Sequence, residues 1–246
     1  ASDALLHDLA TWYHIAWLGE SVRRSDVRVA QLVEKQRGFH AADRSVLLGL
    51  IGELLEGILP RYRALADAGR CELAVSPYSH PILPLLLDFN AVRESEPHAA
   101  LPAHPAYPGG AQRAAWHMSE AVRCFERVFG RKPRGCWPSE GAISAAAVRE
   151  VDVAGFDWLA TSTGVLRGSL EKSGIGIATE LAGQECQLNQ AFAVPGSRVS
   201  GFFRHEVLSD LIGFSYSRWH GDDAVAHFVR ELEGIEERTR TAGGRV

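Results

Sequence analysis

Two short apolar runs in this chain are separated by an amphipathic helix, and each run is followed directly by a cluster of polar residues. The run 71–75 leads into Pro77-Tyr78-Ser79-His80, and the run 134–137 leads into Pro138-Ser139-Glu140-Gly141. A stripe of apolar residues over 111–129 predicts a helix between the two. This order of strand, polar loop, helix and strand is typical of an α/β fold with a parallel sheet or barrel. Functional residues in such folds lie at the carboxyl ends of the strands.

The other apolar patterns extend this alternation over the whole chain. They predict helices near 5–17, 43–68, 143–154 and 222–238, strands over 156–161, 187–194 and 199–204, and loops with short strands over 168–183. Trp12 and Trp17 lie on the apolar stripe of the first helix and are predicted to belong to the core. Because the 246 residues show no internal repeat and no break in composition, we expect a single domain over residues 1–246.

Composition excludes several classes of protein. Lys and Arg number 26 against 30 Asp and Glu, and no stretch concentrates basic residues as a nucleic-acid partner requires. The longest nearly uncharged apolar run is Pro81–Phe89, far short of the about 20 residues that cross a bilayer, so no membrane is expected. The four cysteines are widely spaced and predict reduced, mostly buried thiols. No glycine-rich phosphate-binding motif is present, so no cofactor is expected.

Glu140 is the best single candidate for chemistry. A carboxylate beside an aromatic residue at a rigid strand end suits glycoside cleavage, because the carboxylate stabilises an oxocarbenium-like centre while the ring stacks on a sugar. The competing interpretation is that Glu140 merely caps the helix that follows, where a carboxylate is favoured by about 0.3 to 1 kcal/mol. The pattern alone leaves both interpretations open.

The histidines of these clusters are weaker candidates. His80 and His117 suit a ligand-binding or sugar-binding role, but a lone loop histidine is more often an ordinary polar residue. Together with Glu140 and Asp210 they offer metal-ligand chemistry. Because no His-x-His or His-x-x-x-His spacing supports such a site, we predict no metal.

The clusters, in this order, resemble glycoside hydrolase family 57, a group of α-glucan-active amylases, amylopullulanases, glucanotransferases and branching enzymes. The resemblance spans nearly the whole chain. It is carried by Asp8–Trp17, Glu72–Leu86, Tyr107–Gly110 with Arg113, Trp116 and His117, Gly135–Gly141, Phe203-Arg204 and Leu208–Phe214.

The resemblance implies an α/β fold, the central portion of an incomplete, distorted (β/α)7 barrel, and a retaining mechanism. Glu140 stands at the family's catalytic glutamate and would be the nucleophile that forms a glycosyl-enzyme. The residues that would bind the α-glucan or oligosaccharide substrate are Trp137, Tyr78, His80, His117, Arg204 and Asp210. The family, together with the reduced-looking cysteines, implies a cytoplasmic location; the oligomeric state stays open.

The chain also departs from the family pattern. The family's first strand, with a His-Gln-Pro type motif, has no counterpart here, and its acid/base aspartate would follow the helix near 222–238, beyond Val246. We therefore expect a catalytic domain lacking its first and last strands, and little hydrolysis by the isolated chain, since general acid catalysis is typically worth about 10² to 10⁴-fold. His205 stands where relatives usually carry Asp, which puts a hydrogen-bonding role at this position in doubt.

Two alternatives to a glycoside hydrolase or glucanotransferase remain. The first is a non-catalytic carbohydrate-binding protein on the same barrel, favoured by the departures just described. The second is a metal-dependent polysaccharide deacetylase, which has a barrel of related shape. Linkage specificity depends on the shape of the loops around the site, and the balance between hydrolysis and transfer to another sugar depends on how well water is excluded.

Overall fold

The computed structural model describes residues 2–176 and 187–242. The chain divides into two compact units, one up to Cys71 and the other from Glu72 onward. Among the described helices, none combines the length and the apolar character needed to cross a bilayer.

The first unit is helical. Its helices are α1 (Asp3–Trp17), α2 (Glu20–Ser25), α3 (Val27–Lys35) and α4 (Ala41–Asp67). Their shared core consists of Ile15, Val29, Leu32, Phe39, Leu47 and Leu50. The apolar patterns predicted α1 and α4 but missed α2 and α3, which are short and rich in charged residues.

The predicted core position of Trp17 is wrong. The side of α1 that faces the core carries Thr11 and Ile15, which are buried one turn apart. Trp17 is 75% exposed, and Trp12 lies at the margin, where its indole N–H donates to the Gln36 carbonyl at 2.8 Å. Apolar residues therefore occupy two faces of α1, and the sequence pattern alone did not show which one is covered.

The second unit is built around a five-stranded sheet within the described residues. Its elements in chain order are β1 (Ala74–Val75), α5 (Leu83–Leu87), α6 (Gly110–Phe129), β2 (Gly135–Cys136), α7 (Ala145–Val153), β3 (Trp158–Ser162), α8 (Thr163–Lys172), β4 (Phe192–Ala193), β5 (Ser200–Arg204), α9 (Glu206–Asp210) and α10 (Gly221–Thr241). The strand order is β1-β2-β3-β5-β4; β4 is antiparallel to β5, and every other pair is parallel. The predicted α/β class with a mostly parallel sheet is confirmed.

The core of this unit lies between the sheet and helices α5, α6 and α7. It contains Leu83, Ala114, Met118, Cys136, Ala147, Val148, Val151, Phe156, Leu159 and Val199. The prediction of loops and short strands over 168–183 is wrong for its first residues, because α8 continues to Lys172. Residues 177–183 and Cys186 lie outside the described part of the chain. Of the other cysteines, Cys136 is buried, Cys124 is half-buried and Cys71 is exposed.

Candidate functional site

The two polar clusters around His80 and Glu140 begin side by side. Strands β1 and β2 run parallel, with Ala74 opposite Gly135 and Val75 opposite Cys136. The pairing extends one residue further, since the Trp137 amide donates to the Val75 carbonyl at 2.9 Å. Because both strands end at the same edge of the sheet, the chain delivers both clusters to one place.

Three residues of these clusters adopt a left-handed backbone. Ser79, His80 and Glu140 have φ values of 59°, 58° and 56°, a region that residues other than glycine rarely occupy. Each such residue costs on the order of 1 kcal/mol or more, and residues of this kind concentrate at functional sites. No sequence signal marks these three positions, so their strain could not be predicted.

Glu140 and His80 face each other. His80 Nδ1 lies 3.8 Å from Glu140 Oε1, and the Glu140 side chain is 72% exposed. The helix-cap interpretation of Glu140 is wrong, since Ser144 performs that role: its hydroxyl accepts from the Ala147 amide at 3.2 Å. The Glu140 carboxylate is thus held above the strand end with its surface open to a ligand.

A buried threonine anchors the Glu140 turn. Thr161, near the end of β3, is fully buried, and its hydroxyl donates to the Gly141 carbonyl at 2.5 Å. The neighbouring Ser139 hydroxyl is also buried and has no hydrogen-bond partner among the described residues. Sequence analysis missed Thr161, because nothing in its local pattern identifies the carbonyl that it holds.

Thr161→Val should destabilise the protein by about 1–2 kcal/mol. Valine matches the shape of threonine but leaves the Gly141 carbonyl without its donor, and an unsatisfied, partly buried acceptor costs free energy. Urea unfolding of the purified protein measures the change, and Thr161→Ser, which retains the hydroxyl, is the matched control. Equal losses in the two variants would show that packing, and not the hydrogen bond, is what Thr161 contributes.

Tyr78 and His117, predicted to bind substrate, are joined through the backbone. The Tyr78 amide donates to the His117 carbonyl at 3.2 Å, and His117 Nδ1 lies 2.6 Å from the Tyr78 carbonyl oxygen. A carbonyl only accepts hydrogen bonds, so Nδ1 carries the proton and Nε2 of the neutral ring is an acceptor. This contact fixes α6 against the loop that carries His80.

Arg204 and Asp210 form a separate pair. Arg204 ends β5 and lies 3.7 Å from the Asp210 carboxylate. Strand β5 stands two places from β2 in the sheet, a lateral separation of about 10 Å at the usual strand spacing.

His205 does make a hydrogen bond: its Nδ1 accepts from the Leu208 amide at 3.3 Å and caps α9.

Trp137 and Cys136 play different parts at the end of β2. The Trp137 ring is partly exposed, whereas Cys136 is fully buried. Burial raises the pKa of the Cys136 thiol to about 12, so this cysteine packs in the core as a neutral thiol.

Over residues 2–176 and 187–242, no three His, Cys, Asp or Glu side chains form a group that could hold a metal ion. The absence of a metal and of a cofactor stays a prediction.

A sequence model of the family described as Glycosyl hydrolase family 57 matches residues 10–244. The chain belongs to glycosyl hydrolase family 57. The predicted family is therefore confirmed, and the match runs through every segment that carries the candidate residues. No curated protein matches the chain in sequence.

Solved structures similar to this family 57 chain include three enzymes. An alpha-amylase from Thermotoga maritima is 13% identical at a TM-score of 0.48, over 85% of this chain and 32% of the amylase. A GH57-type branching enzyme from Pyrococcus horikoshii is 15% identical at a TM-score of 0.43, over 80% of this chain and 32% of that enzyme. A 4-alpha-glucanotransferase from Thermococcus litoralis is 17% identical at a TM-score of 0.41, over 68% of this chain and 21% of that enzyme. The chain thus spans about a third of these enzymes or less.

Proposed function

We propose that this chain supplies the nucleophile and part of the sugar site of a retaining, α-glucan-active glycoside hydrolase or glucanotransferase. The observation that carries the proposal is the His80–Glu140 pair. Both residues hold a left-handed backbone at the ends of adjacent parallel strands, and their side chains approach to 3.8 Å. Strain of this kind is retained where a side chain must point in a set direction.

Glu140 acts as the nucleophile in this proposal. Its carboxylate attacks the anomeric carbon, the bond to the leaving sugar oxygen breaks, and a covalent glycosyl-enzyme forms. A second carboxyl group, about 5–5.5 Å away in retaining enzymes, protonates the leaving oxygen and later activates water or an acceptor hydroxyl. We assign this second group to no residue of the chain.

The remaining candidates bind the sugar. Trp137 stacks against a sugar ring, Tyr78, His80 and His117 line the site, and Arg204 with Asp210 contacts the glucan further along the sheet edge. Hydrogen bonds to the sugar hydroxyls fix the position and orientation of the ring. The parallel order β1-β2-β3-β5 supports our proposal that the strands form the central portion of an incomplete, distorted (β/α)7 barrel, within one catalytic domain that includes residues 1–246. A cytoplasmic location is part of the same proposal.

Turnover of maltoheptaose by the full-length protein tests this function. We expect products whose newly formed reducing ends are first α and then equilibrate, because two displacements at the anomeric carbon restore its configuration. Proton NMR during the first minutes measures the anomer, and activity should persist in the presence of a chelator. A β product would contradict the nucleophile role of Glu140. Binding without turnover would favour the carbohydrate-binding alternative, whereas chelator-sensitive release of acetate from an acetylated polysaccharide, without cleavage of maltoheptaose, would favour metal-dependent deacetylation.

A further inference from the structure

An open cavity of about 400 Å³ lies on the amino-terminal half of α6. Its lining residues are Gln112, Arg113, Trp116 and His117. Cavities of this volume are typical of small-ligand sites, which combine an apolar or aromatic wall with a few polar groups. Of the four residues, only His117 has been given a role so far.

The aromatic wall of this cavity is held rigidly. The Trp116 ring packs edge to face against the Tyr78 ring, with centroids 5.7 Å apart, and against the His117 ring at 4.9 Å. Trp116 is nevertheless 49% exposed. An indole that is fixed by two neighbours and still open to solvent loses little conformational entropy when a flat ligand stacks on it.

The polar groups of the cavity are left available for a neutral, hydroxyl-rich ligand. Arg113 sits over the Tyr107 ring at 5.6 Å, and its Nε donates to the Pro108 carbonyl at 3.3 Å. In the described part of the chain no carboxylate pairs with Arg113, so its terminal N–H groups remain free to donate. His117 adds an acceptor at Nε2, because Nδ1 already donates to Tyr78.

The cavity adjoins the candidate nucleophile through Tyr78. The Tyr78 backbone is hydrogen-bonded to His117. Tyr78 also lies two residues before His80, so the Cα atoms of these two residues are at most about 7 Å apart. His80 in turn lies 3.8 Å from Glu140. Through Tyr78 and His80, the wall of the cavity is thus connected to the turn that carries Glu140.

We propose that this cavity is a second sugar subsite, in which Trp116 stacks on one glucosyl unit of an α-glucan whose neighbouring part reaches Glu140. Arg113 and Gln112 donate to the hydroxyls of that unit, and His117 accepts from one of them. This inference rests on the proposed function, since it takes the same α-glucan as the ligand. It adds Trp116, Arg113 and Gln112 to the residues that determine substrate binding.

Calorimetric titration of maltoheptaose into the full-length protein tests the subsite. All variants carry Glu140→Gln, so that the ligand is not consumed. Trp116→Ala should weaken binding about tenfold, as loss of an aromatic residue that the ligand covers does, whereas Trp116→Phe should recover most of the affinity. Arg113→Met should weaken binding by about threefold or more through loss of its donors.

Trp17→Ala is the matched control, because Trp17 is an exposed tryptophan of the first unit. It should bind maltoheptaose like the parent, and thermal unfolding checks that every variant is folded. If Trp116→Ala proves unstable, Arg113→Met alone decides the question. If the parent, Trp116→Ala and Arg113→Met all bind maltoheptaose equally well, the subsite is overturned and the proposed function stays intact. A folded parent that binds no maltoheptaose overturns the α-glucan assignment and the subsite together.

Discussion

Glu140→Gln is expected to lower kcat for α-glucan cleavage by the full-length protein at least about 10³-fold. The amide keeps the size and shape of the carboxylate but cannot form the glycosyl-enzyme. Binding of maltoheptaose should stay within about threefold of the wild type, because the sugar-binding side chains are untouched and Glu140 is exposed at the strand end. Initial rates on soluble starch, together with calorimetric titration, measure both quantities.

Glu96→Gln is the control for this change, since it removes a negative charge at an exposed loop position. It should leave kcat unchanged. A Glu140→Gln variant that turns over at the wild-type rate would show that Glu140 is not the nucleophile. A wild-type protein that binds maltoheptaose but never cleaves it would instead support the carbohydrate-binding alternative.

A chemical rescue separates a nucleophile from a positioning residue. In Glu140→Ala, azide can occupy the vacated space and attack an activated donor such as α-glucosyl fluoride, forming the carbon–nitrogen bond as fluoride leaves. The product is the β-glucosyl azide, of inverted configuration, because only one displacement occurs. A merely structural glutamate would give no such product.

The sequence predicted the parts of the fold that depend on local periodicity. Helix α6 was predicted over 111–129 and is found over Gly110–Phe129, because its apolar stripe faces the core and Gly130 ends it with φ of 71°. The strands were harder to predict. The run 71–75 pairs over only Ala74–Val75, since pairing depends on β2, which lies 60 residues further along the chain.

The sequence identified residues of the candidate site but did not predict their spatial arrangement. The motifs identified Glu140 and His80, yet their contact follows from two left-handed turns that the sequence does not mark. The grouping of Arg204 with Asp210 away from β2 follows from the strand order, which is a long-range property of the chain. Trp17 shows the same limit in the first unit, because burial depends on which face of α1 the neighbouring helices cover.

Gly110→Ala is expected to destabilise the protein by about 3 kcal/mol, near the upper end for overpacking. A Cβ on Gly110 would lie 1.8 Å from the Leu86 carbonyl oxygen, and a backbone atom of α5 cannot rotate away as a side chain can. In a chain of this size such a loss lowers Tm by roughly 6–12 °C. Thermal and urea unfolding of the purified protein measure the effect.

Substitutions at two other glycines distinguish the effect of a steric clash from the effect of lost backbone freedom. Among the described residues, none lies near the missing Cβ of Gly168 in α8, so Gly168→Ala should stabilise by about 0.5–1 kcal/mol through its higher helix propensity. Gly109 has a φ of +67°, so Gly109→Ala should cost on the order of 1 kcal/mol in backbone strain. The adjacent Gly109 and Gly110 thus serve different purposes, a left-handed turn and a close helix contact. If Gly110→Ala were as stable as Gly168→Ala, α5 would not hold the start of α6, and the position that α6 gives to Trp116 and His117 would need another cause.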